Sequence, residues 1–433
     1  MNEVTMEKIV SLAKRRGFIY PGSEIYGGLS GFWDYGPLGV ELKNNIKNLW
    51  WRMFVQNRDD MYGVDTAIIM SSEAWKASGH VEGFQDPLVE CKKCRHRFRA
   101  DQVEGKCPEC GGQFGEVKQF NMMFKTHIGA TDDAGAVSYL RPETAGGIFV
   151  NFKNIIDSFH PKLPFGIAQI GKAFRNEIAP RDFLFRVREM EQMEVEYFVQ
   201  PGEWEKGFEA WRENVLKFLT AIGIMRDSVH ELEVGDGDRA HYSKRTIDFE
   251  FDFPFGRKEL CGLAYRGDFD LQAHTKASGV ELSVIVDDAT GEKTVPHVIE
   301  PSFGVDRTIL ALLASAYTED DSGEETRVYL KFNSAVAPIK AAVFPLLKNK
   351  PELVAKARGI YTELKKAVPQ IMWDDNGNIG KRYRRQDEIG TPVCITIDFQ
   401  TLEDDTVTVR NRDTGAQERV STSALLQRVT ADV

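Results

Sequence analysis

At 433 residues the chain is too long for one compact core, so two or three domains are expected. Hydrophobic residues make up 42% and charged residues 28%, an ordinary globular profile, and no apolar run has the length of a membrane span or a secretory leader. The formal net charge of -10 argues against indiscriminate nucleic-acid binding, so any such contact must use local basic patches.

Met1 to Tyr20 reads as an amphipathic helix, with Val4, Ile9, Val10, Leu12 and Ala13 interleaved with charges and Gly17 as its C-cap. Pro37 to Phe54 is helical as well. Its stripe of Leu42, Ile46, Leu49, Trp50 and Phe54 fits either the core or a subunit interface. Residues 87–118 form a compact insert. Pro142 to Phe159 predicts a helix, Ile167 to Phe174 and Phe185 to Phe198 strands, and Glu203 to Ala221 a further helix. Ile247 to Phe253 alternates strictly, apolar on one face and Asp248, Glu250 and Asp252 on the other, which is an antiparallel strand with one buried side. Val295 to Ile299 is a strand running into a helix from Gly304 to Tyr317. The fold class is α+β, an antiparallel sheet with helices packed on it. A boundary falls between Asn333 and Pro338. Beyond it a strand (Lys340 to Phe344), a helix (Pro351 to Val368), a strand (Thr391 to Asp398), a hairpin about Asp413-Thr414-Gly415 and a last helix make a small α/β domain. The organisation is therefore 1–334 with 87–118 inserted in it, then 335–433. That last part carries 15 basic against 13 acidic residues, whereas the rest carries 40 against 52.

Of six cysteines, four stand as Cys91-x-x-Cys94 and Cys107-x-x-Cys110, twelve residues apart. Two such knuckles put four thiolates within reach of one structural Zn²⁺, leaving no open position for catalysis, and a knuckle that has lost its ion is the alternative. Paired cysteines in a large chain without a leader suit a reducing, cytoplasmic compartment. The neighbouring Lys92, Lys93, Arg95, His96, Arg97 and Arg99 are either a solvated face or a contact for nucleic-acid backbone.

The most informative stretch runs from Phe174 to Glu196. Alternation along a strand puts Arg186, Arg188, Met190, Gln192, Glu194 and Glu196 on one face. Arg175 and Glu177 end the preceding strand, and eight residues separate Glu177 from Arg186. Arginines at one end and acids at the other suit a substrate pair such as ATP and an amino acid, while a solvated, salt-bridged face is the plain alternative.

Phe174-Arg175-Asn176-Glu177 with the following loop and strand resembles the second signature motif of class II aminoacyl-tRNA synthetases. Ser302-Phe303-Gly304-Val305-Asp306-Arg307 resembles the third, and Asp34-Tyr35-Gly36-Pro37-Leu38-Gly39 with its helix the first. Pro21 to Gly28, Leu140 to Ala145 and Glu300 to Gly304 resemble the homodimeric type of that class that acts on glycine. The resemblance covers nearly the whole chain. It departs from the usual pattern at Met190, where a phenylalanine stacking on adenine is common, and at Gly146, where many relatives have glutamine.

What the resemblance implies is activation of glycine with ATP to glycyl-adenylate and transfer to tRNA(Gly), releasing AMP and diphosphate, by a homodimer. The α-carboxylate of the amino acid is already ionised at neutral pH, so the first step needs positioning and charge stabilisation but no general base. Arg175, Arg307 and Glu259 are the candidate catalytic residues: Arg175 bridging the carboxylate and the α-phosphate, Arg186 and Arg307 on the outer phosphate, Glu259 on Mg²⁺, and Glu177 accepting from the adenine amino group. The resemblance places ATP further against Asn176, Phe185, Val187, Arg188, Glu189, Met190, Leu260, Gly304, Val305 and Asp306. It places glycine against Arg99, Glu143, Met190, Glu191, Gln192, Met193, Glu194, Glu300, Pro301, Ser302, Phe303 and Gly304, with Glu143, Glu194, Glu300 and Ser302 forming an acidic pocket for the ammonium group. No base for the transfer step stands out. The last domain resembles an anticodon-binding domain, and in Lys381-Arg382-Tyr383-Arg384-Arg385 the tyrosine either stacks on an unpaired base or packs into the domain core. A non-catalytic tRNA-binding relative, or a synthetase for another amino acid, are the competing readings.

Overall fold

Strict alternation needs one dry face to bury, and the strand Arg245–Phe253 has one: Ile247, Phe249, Phe251 and Phe253 are all buried. The computed structural model describes residues 4–130, 137–240, 242–320 and 326–430. In chain order its main elements are α1 (Met6–Arg15), α2 (Pro37–Trp51), β1 (Met61–Gly63), α3 (Ala145–Phe159), β2 (Phe165–Phe174), β3 (Glu189–Val199), α4 (Trp204–Ile222), β4 (Val229–Glu233), β5 (Arg245–Phe253), β6 (Gly256–Gly267), α5 (Phe269–Ser278), β7 (His297–Gly304) and α6 (Val305–Ala316). The seven strands form one sheet in the order β4-β5-β6-β7-β3-β2-β1, antiparallel except for the β2–β1 pair.

Helix α1 is shorter than the reading from Met1 to Tyr20. Thr5 caps it through the Lys8 N–H, Gly17 at φ +75° ends it, and Ile19–Pro21 turns into a strand against Trp33–Tyr35; residues 1–3 lie outside the described set. Along α2 the stripe is core of the same chain. Leu42, Ile46 and Trp50 are fully buried, and after a widened turn over Arg52–Gln56 the Phe54 ring packs 5.4 Å from Trp50 and 5.5 Å from Trp211. Helix α3 starts three residues later than expected because the carbonyls before it are used elsewhere. Arg141 O accepts from the Phe174 N–H and Pro142 O from Arg175 Nε.

Strand β3 also starts late, at Glu189. Phe185 to Arg188 is instead tied into its own loop, where Arg181 and Arg186 pair and the Arg188 N–H donates to Gly31 O. From there β2 and β3 pair without a slip, Gln169 opposite Glu194 and Ala173 opposite Met190. Strand β7 continues past Ile299 to Gly304 and hands directly to α6. The insert is a three-stranded sheet with Gln85–Glu90 between Arg97–Arg99 and Lys118–Asn121.

The C-terminal part has its own core. It contains β8 (Ala341–Pro345), α7 (Pro351–Ala367), β9 (Ile371–Trp373), α8 (Ile379–Ile389), β10 (Val393–Ile397), β11 (Thr406–Asn411), β12 (Gln417–Ser421) and α9 (Thr422–Thr430), with sheet order β9-β8-β10-β11-β12. Tyr383 faces inward: its hydroxyl lies 2.7 Å from Thr396 Oγ1 and its ring packs edge-on to Phe344, as the core reading expects. Arg382 beside it is fully buried and donates to the Asp375 and Gly377 carbonyls, while Arg385 pairs with Asp374.

Candidate active site

The parity of β3, the end of β2 and the junction of β7 with α6 converge on a cleft of about 330 Å³. Met190, Gln192 and Glu194 of β3 line it, as do Glu300, Ser302 and Gly304 of β7, and Leu260 of β6. Arg175, Glu177, Phe185, Arg186 and Val187 close one end with Glu259, Asp306 and Arg307.

That end holds three guanidinium groups, with Glu177, Glu259 and Asp306 among them. Arg175 lines the cleft, donates through Nε to Pro142 O at 3.0 Å and lies 5.4 Å from the Phe84 ring centre. Arg186 stands 3.4 Å from Glu177, and the Glu177 carbonyl accepts two N–H bonds from Arg188, which fixes the loop. The Arg307 guanidinium packs on the Phe185 ring at 4.5 Å and donates to Glu259 at 2.8 Å; the Arg307 charge holds the Glu259 carboxyl below its ordinary range. Asp306 ties α6 to the sheet by accepting from the Tyr35 hydroxyl and from the Glu191 N–H.

Opposite lies an acidic end. Glu194 accepts from the hydroxyls of Thr144 and Ser302, the latter at 2.7 Å. Glu300 accepts from Arg266, whose other nitrogens make a bidentate pair with Asp270 at 2.7 Å. Glu143 lies 3.3 Å from His80. Burial pushes the Glu300 carboxyl up to about 8 and raises that of Glu194, which Glu143 raises further. Burial also works against Glu143, but His80 and then Arg266 outweigh it and bring its carboxyl down to about 2. Glu300 is therefore largely protonated in the free pocket at neutral pH, and a cation placed among these carboxyls would favour its ionised form.

Several residues named from the sequence stand elsewhere. Glu189, Glu191 and Met193 lie on the far side of β3: Glu189 pairs with Lys172, Glu191 with Lys43 and Lys47 of α2, and Met193 is in the core. Phe303 is in the core for the same reason of parity, Val305 is buried as the first residue of α6, and neither they nor Pro301 line the cleft. Asn176 donates its N–H to Met122 O, and Arg188 reaches Ser30 O. Arg99 stays on the insert, held by Asp86 and Asp101. Conversely, Arg266, Tyr242 and Asp248 belong to the site and were not singled out from the sequence. Tyr242 lies under the Arg266 guanidinium at 3.7 Å. Asp248 lies on the face opposite the buried one, but at Asp248 that face of β5 lines the cleft, and burial, with Glu259 and Glu250 next, pushes its carboxyl up to about 7. The strict alternation about Asp248 was the signal; only the position of β6 beside it decides what that face meets.

In the insert, the Cys91 and Cys110 sulfurs are 3.5 Å apart and those of Cys94 and Cys107 3.6 Å, all four within 4.8 Å of one another. Four thiolates about 2.3 Å from one tetrahedral ion stand about 3.8 Å apart, so the donor set fits.

A family model described as the tRNA synthetase class II core domain (G, H, P, S and T) matches residues 124–316, and one described as an anticodon binding domain matches residues 340–432. Glycine–tRNA ligase of Caldanaerobacter subterraneus subsp. tengcongensis is 50% identical over 96% of this chain and 96% of its own. That of Clostridium acetobutylicum is 50% identical over 98% of each chain, and that of Treponema denticola 48% identical over 100% of this chain and 98% of its own. The chain belongs to the glycine–tRNA ligase family. Against the usual pattern of the glycine–tRNA ligases, Met190 does line the cleft, offering a flexible thioether in place of a ring. Gly146 has a steric reason: a Cβ there would stand 2.8 Å from the Trp75 ring.

Proposed function

We propose that the chain activates glycine with ATP and transfers it to tRNA(Gly), releasing AMP and diphosphate. The observation that carries this reading is the polarity of the cleft, guanidinium groups at one end and buried carboxylates at the other. ATP would lie at the guanidinium end, with Arg175 spanning the α-phosphate and the glycine carboxylate and with Arg186 and Arg307 on the outer phosphate. Glu259 and Asp248 suit Mg²⁺, because the Asp248 carboxyl, raised by burial and then by Glu259, would be relieved by a divalent cation between them; the ion would spread phosphate charge. Glu143, Glu194, Glu300 and Ser302 would hold the ammonium group. Because Thr144 and Ser302 pin Glu194, the wall cannot give way to a methyl group. Pyrophosphate exchange tests the reading: glycine should drive it, and alanine and serine should be at least ~10²-fold poorer in kcat/KM. Comparable exchange with alanine would assign the pocket to another substrate.

We further infer that Cys91, Cys94, Cys107 and Cys110 hold one structural Zn²⁺ that shapes the insert. Elemental analysis of protein purified without chelator should find about one zinc per chain, and a stoichiometry near zero rejects the site. A homodimer is supported by the resemblance and by Ile25 and Tyr26, 90% and 86% exposed in the segment leading to α2, since the α2 stripe itself is used in the core. Light scattering of an active sample should return twice 48.9 kDa; a monomeric mass would contradict it.

A further inference from the structure

Both carboxylate oxygens of Asp306 are taken before any substrate arrives. One accepts from the Glu191 N–H at 2.9 Å, the other from the Tyr35 hydroxyl. Strand β3 is paired with β7 as far as Gln192 opposite Gly304. One residue further along β3, where β7 has become α6, the Asp306 side chain takes the Glu191 N–H in place of a strand carbonyl. The Glu191 carboxylate, on the far face of β3, is held by Lys43 at 2.6 Å and Lys47 at 3.0 Å, both on α2. The Lys43 ammonium in turn lies 4.2 Å from the centre of the Tyr35 ring. Tyr35, Asp306, Glu191 and Lys43 therefore close a circuit. It joins the segment before α2, the strand β3 and the first turn of α6.

Tyr35 is itself a fixed post. It stands opposite Ile19 in its strand pair, and the next residue, Gly36, donates its N–H to Phe18 O at 2.9 Å. A Cβ at Gly36 would stand 2.4 Å from Gly17 O, so the two segments touch through backbone. Burial, then Asp306, push the Tyr35 phenol well above its ordinary range, so the hydroxyl stays a donor. Asp306 and Arg307 are the second and third residues of α6. The bonds from Arg307 to Glu259 and to Phe185 O act on its side chain. The chain Tyr35–Asp306–Glu191 sets where that side chain starts.

We propose that Tyr35 is a positioning residue for Arg307: by donating to Asp306 it fixes the first turn of α6 against β3, and with it the reach of the Arg307 guanidinium toward the outer phosphate of ATP. This rests on the reading of Arg307 as a phosphate ligand. A displacement of about 1 Å can cost ~10²-fold in rate, so a partial loosening of this turn is felt in the kinetics before it is felt in the fold. Glycine, held at the opposite end of the cleft, should not feel it.

Pyrophosphate exchange by single and double variants tests the assignment. Tyr35→Phe keeps the ring under Lys43 and removes only the hydroxyl. It should lower kcat/KM for ATP roughly tenfold and leave the KM for glycine within about twofold of wild type. Arg307→Ala should cost roughly 10²-fold in kcat/KM for ATP. Added to Arg307→Ala, Tyr35→Phe should cost less than about twofold more, because the group it positions is gone. The full tenfold loss in that background would make Tyr35 a general support of the fold and overturn the proposal. So would Tyr35→Phe with wild-type ATP kinetics, or with the KM for glycine raised as much as that for ATP. If Tyr35→Phe does not fold, Asp306→Asn carries the same cycle. Its oxygen can still accept from the Glu191 N–H, while its amide no longer accepts from the hydroxyl. A few-fold loss alone and none on Arg307→Ala is expected, and equal losses in both backgrounds overturn the assignment. Were Arg307 no phosphate ligand at all, Arg307→Ala would leave the ATP kinetics unchanged whatever Tyr35→Phe does. The reading of the guanidinium end would then fall, and not the role of Tyr35 alone.

Discussion

Arg175→Ala should lower glycine-dependent pyrophosphate exchange by roughly 10²–10³-fold while leaving the enzyme folded. The loss is large because the adenylation step develops charge on the α-phosphate in a cleft partly shielded from water, where one fixed donor is worth about 3–4 kcal/mol. Arg175 is well placed for that task. Its Nε is committed to Pro142 O, so the guanidinium plane is set before substrate arrives, and Phe84 supports one face of it. The structural loss is small by comparison, one hydrogen bond and one cation–π contact on a half-buried side chain, about 1–2 kcal/mol in all. Most of the defect should lie in kcat, because the bridge matters most as the carboxylate attacks. Near-normal exchange in a folded variant would remove Arg175 from the chemistry. Lysine should rescue only part of the activity, being a point charge without the planar fork.

What could be read from the sequence follows the range of the interactions concerned. Strand parity is local, so Met190, Gln192 and Glu194 fall together from the order of residues alone, and the same rule puts Glu191 and Met193 on the other side. The cysteine spacing is local as well, and the sulfurs do converge. Contacts between distant strands are not local. Arg266 on β6 joins Asp270, four residues on in α5, to Glu300 on a neighbouring strand, and nothing in Tyr265-Arg266-Gly267 marks that arginine as buried. Asp248 lies opposite the buried face of its strand, and what it meets is open until β6 is placed beside β5. Arg382 misleads in the opposite sense: within a run of cations it reads as surface, yet it is buried as a donor to loop carbonyls. The α2 stripe left core and interface equally open, because a stripe gives a face its hydrophobicity and not its partner.

Removal of the C-terminal part should separate the two half-reactions. The cut belongs after Ile339 and not at Asn333, because Val336, Ala337 and Ile339 are built into the core of the catalytic part, and Asn45 of α2 donates to the carbonyls of the first two. Residues 1–339 would still lose Ile389 from that core, the Arg412 bond to Phe332 O, and the Asp387 partner of Arg327. Burial of one isoleucine is worth about 2–3 kcal/mol, so a lower melting temperature is expected, and a folded state must be verified first. In such a protein the cleft keeps every side chain, from Glu143 to Arg307, and pyrophosphate exchange should stay within a few-fold of the full chain. Charging of tRNA(Gly) should fall by roughly 10²–10³-fold in kcat/KM, mostly through KM, since phosphate contacts and stacked bases together supply about 3–4 kcal/mol. Tyr383 is packed inward, so exposed cations of this mildly basic part must carry much of that binding, and the full chain should lose affinity for tRNA steeply as salt rises. A truncated, folded enzyme that charges tRNA as well as the full chain would give these residues some other task.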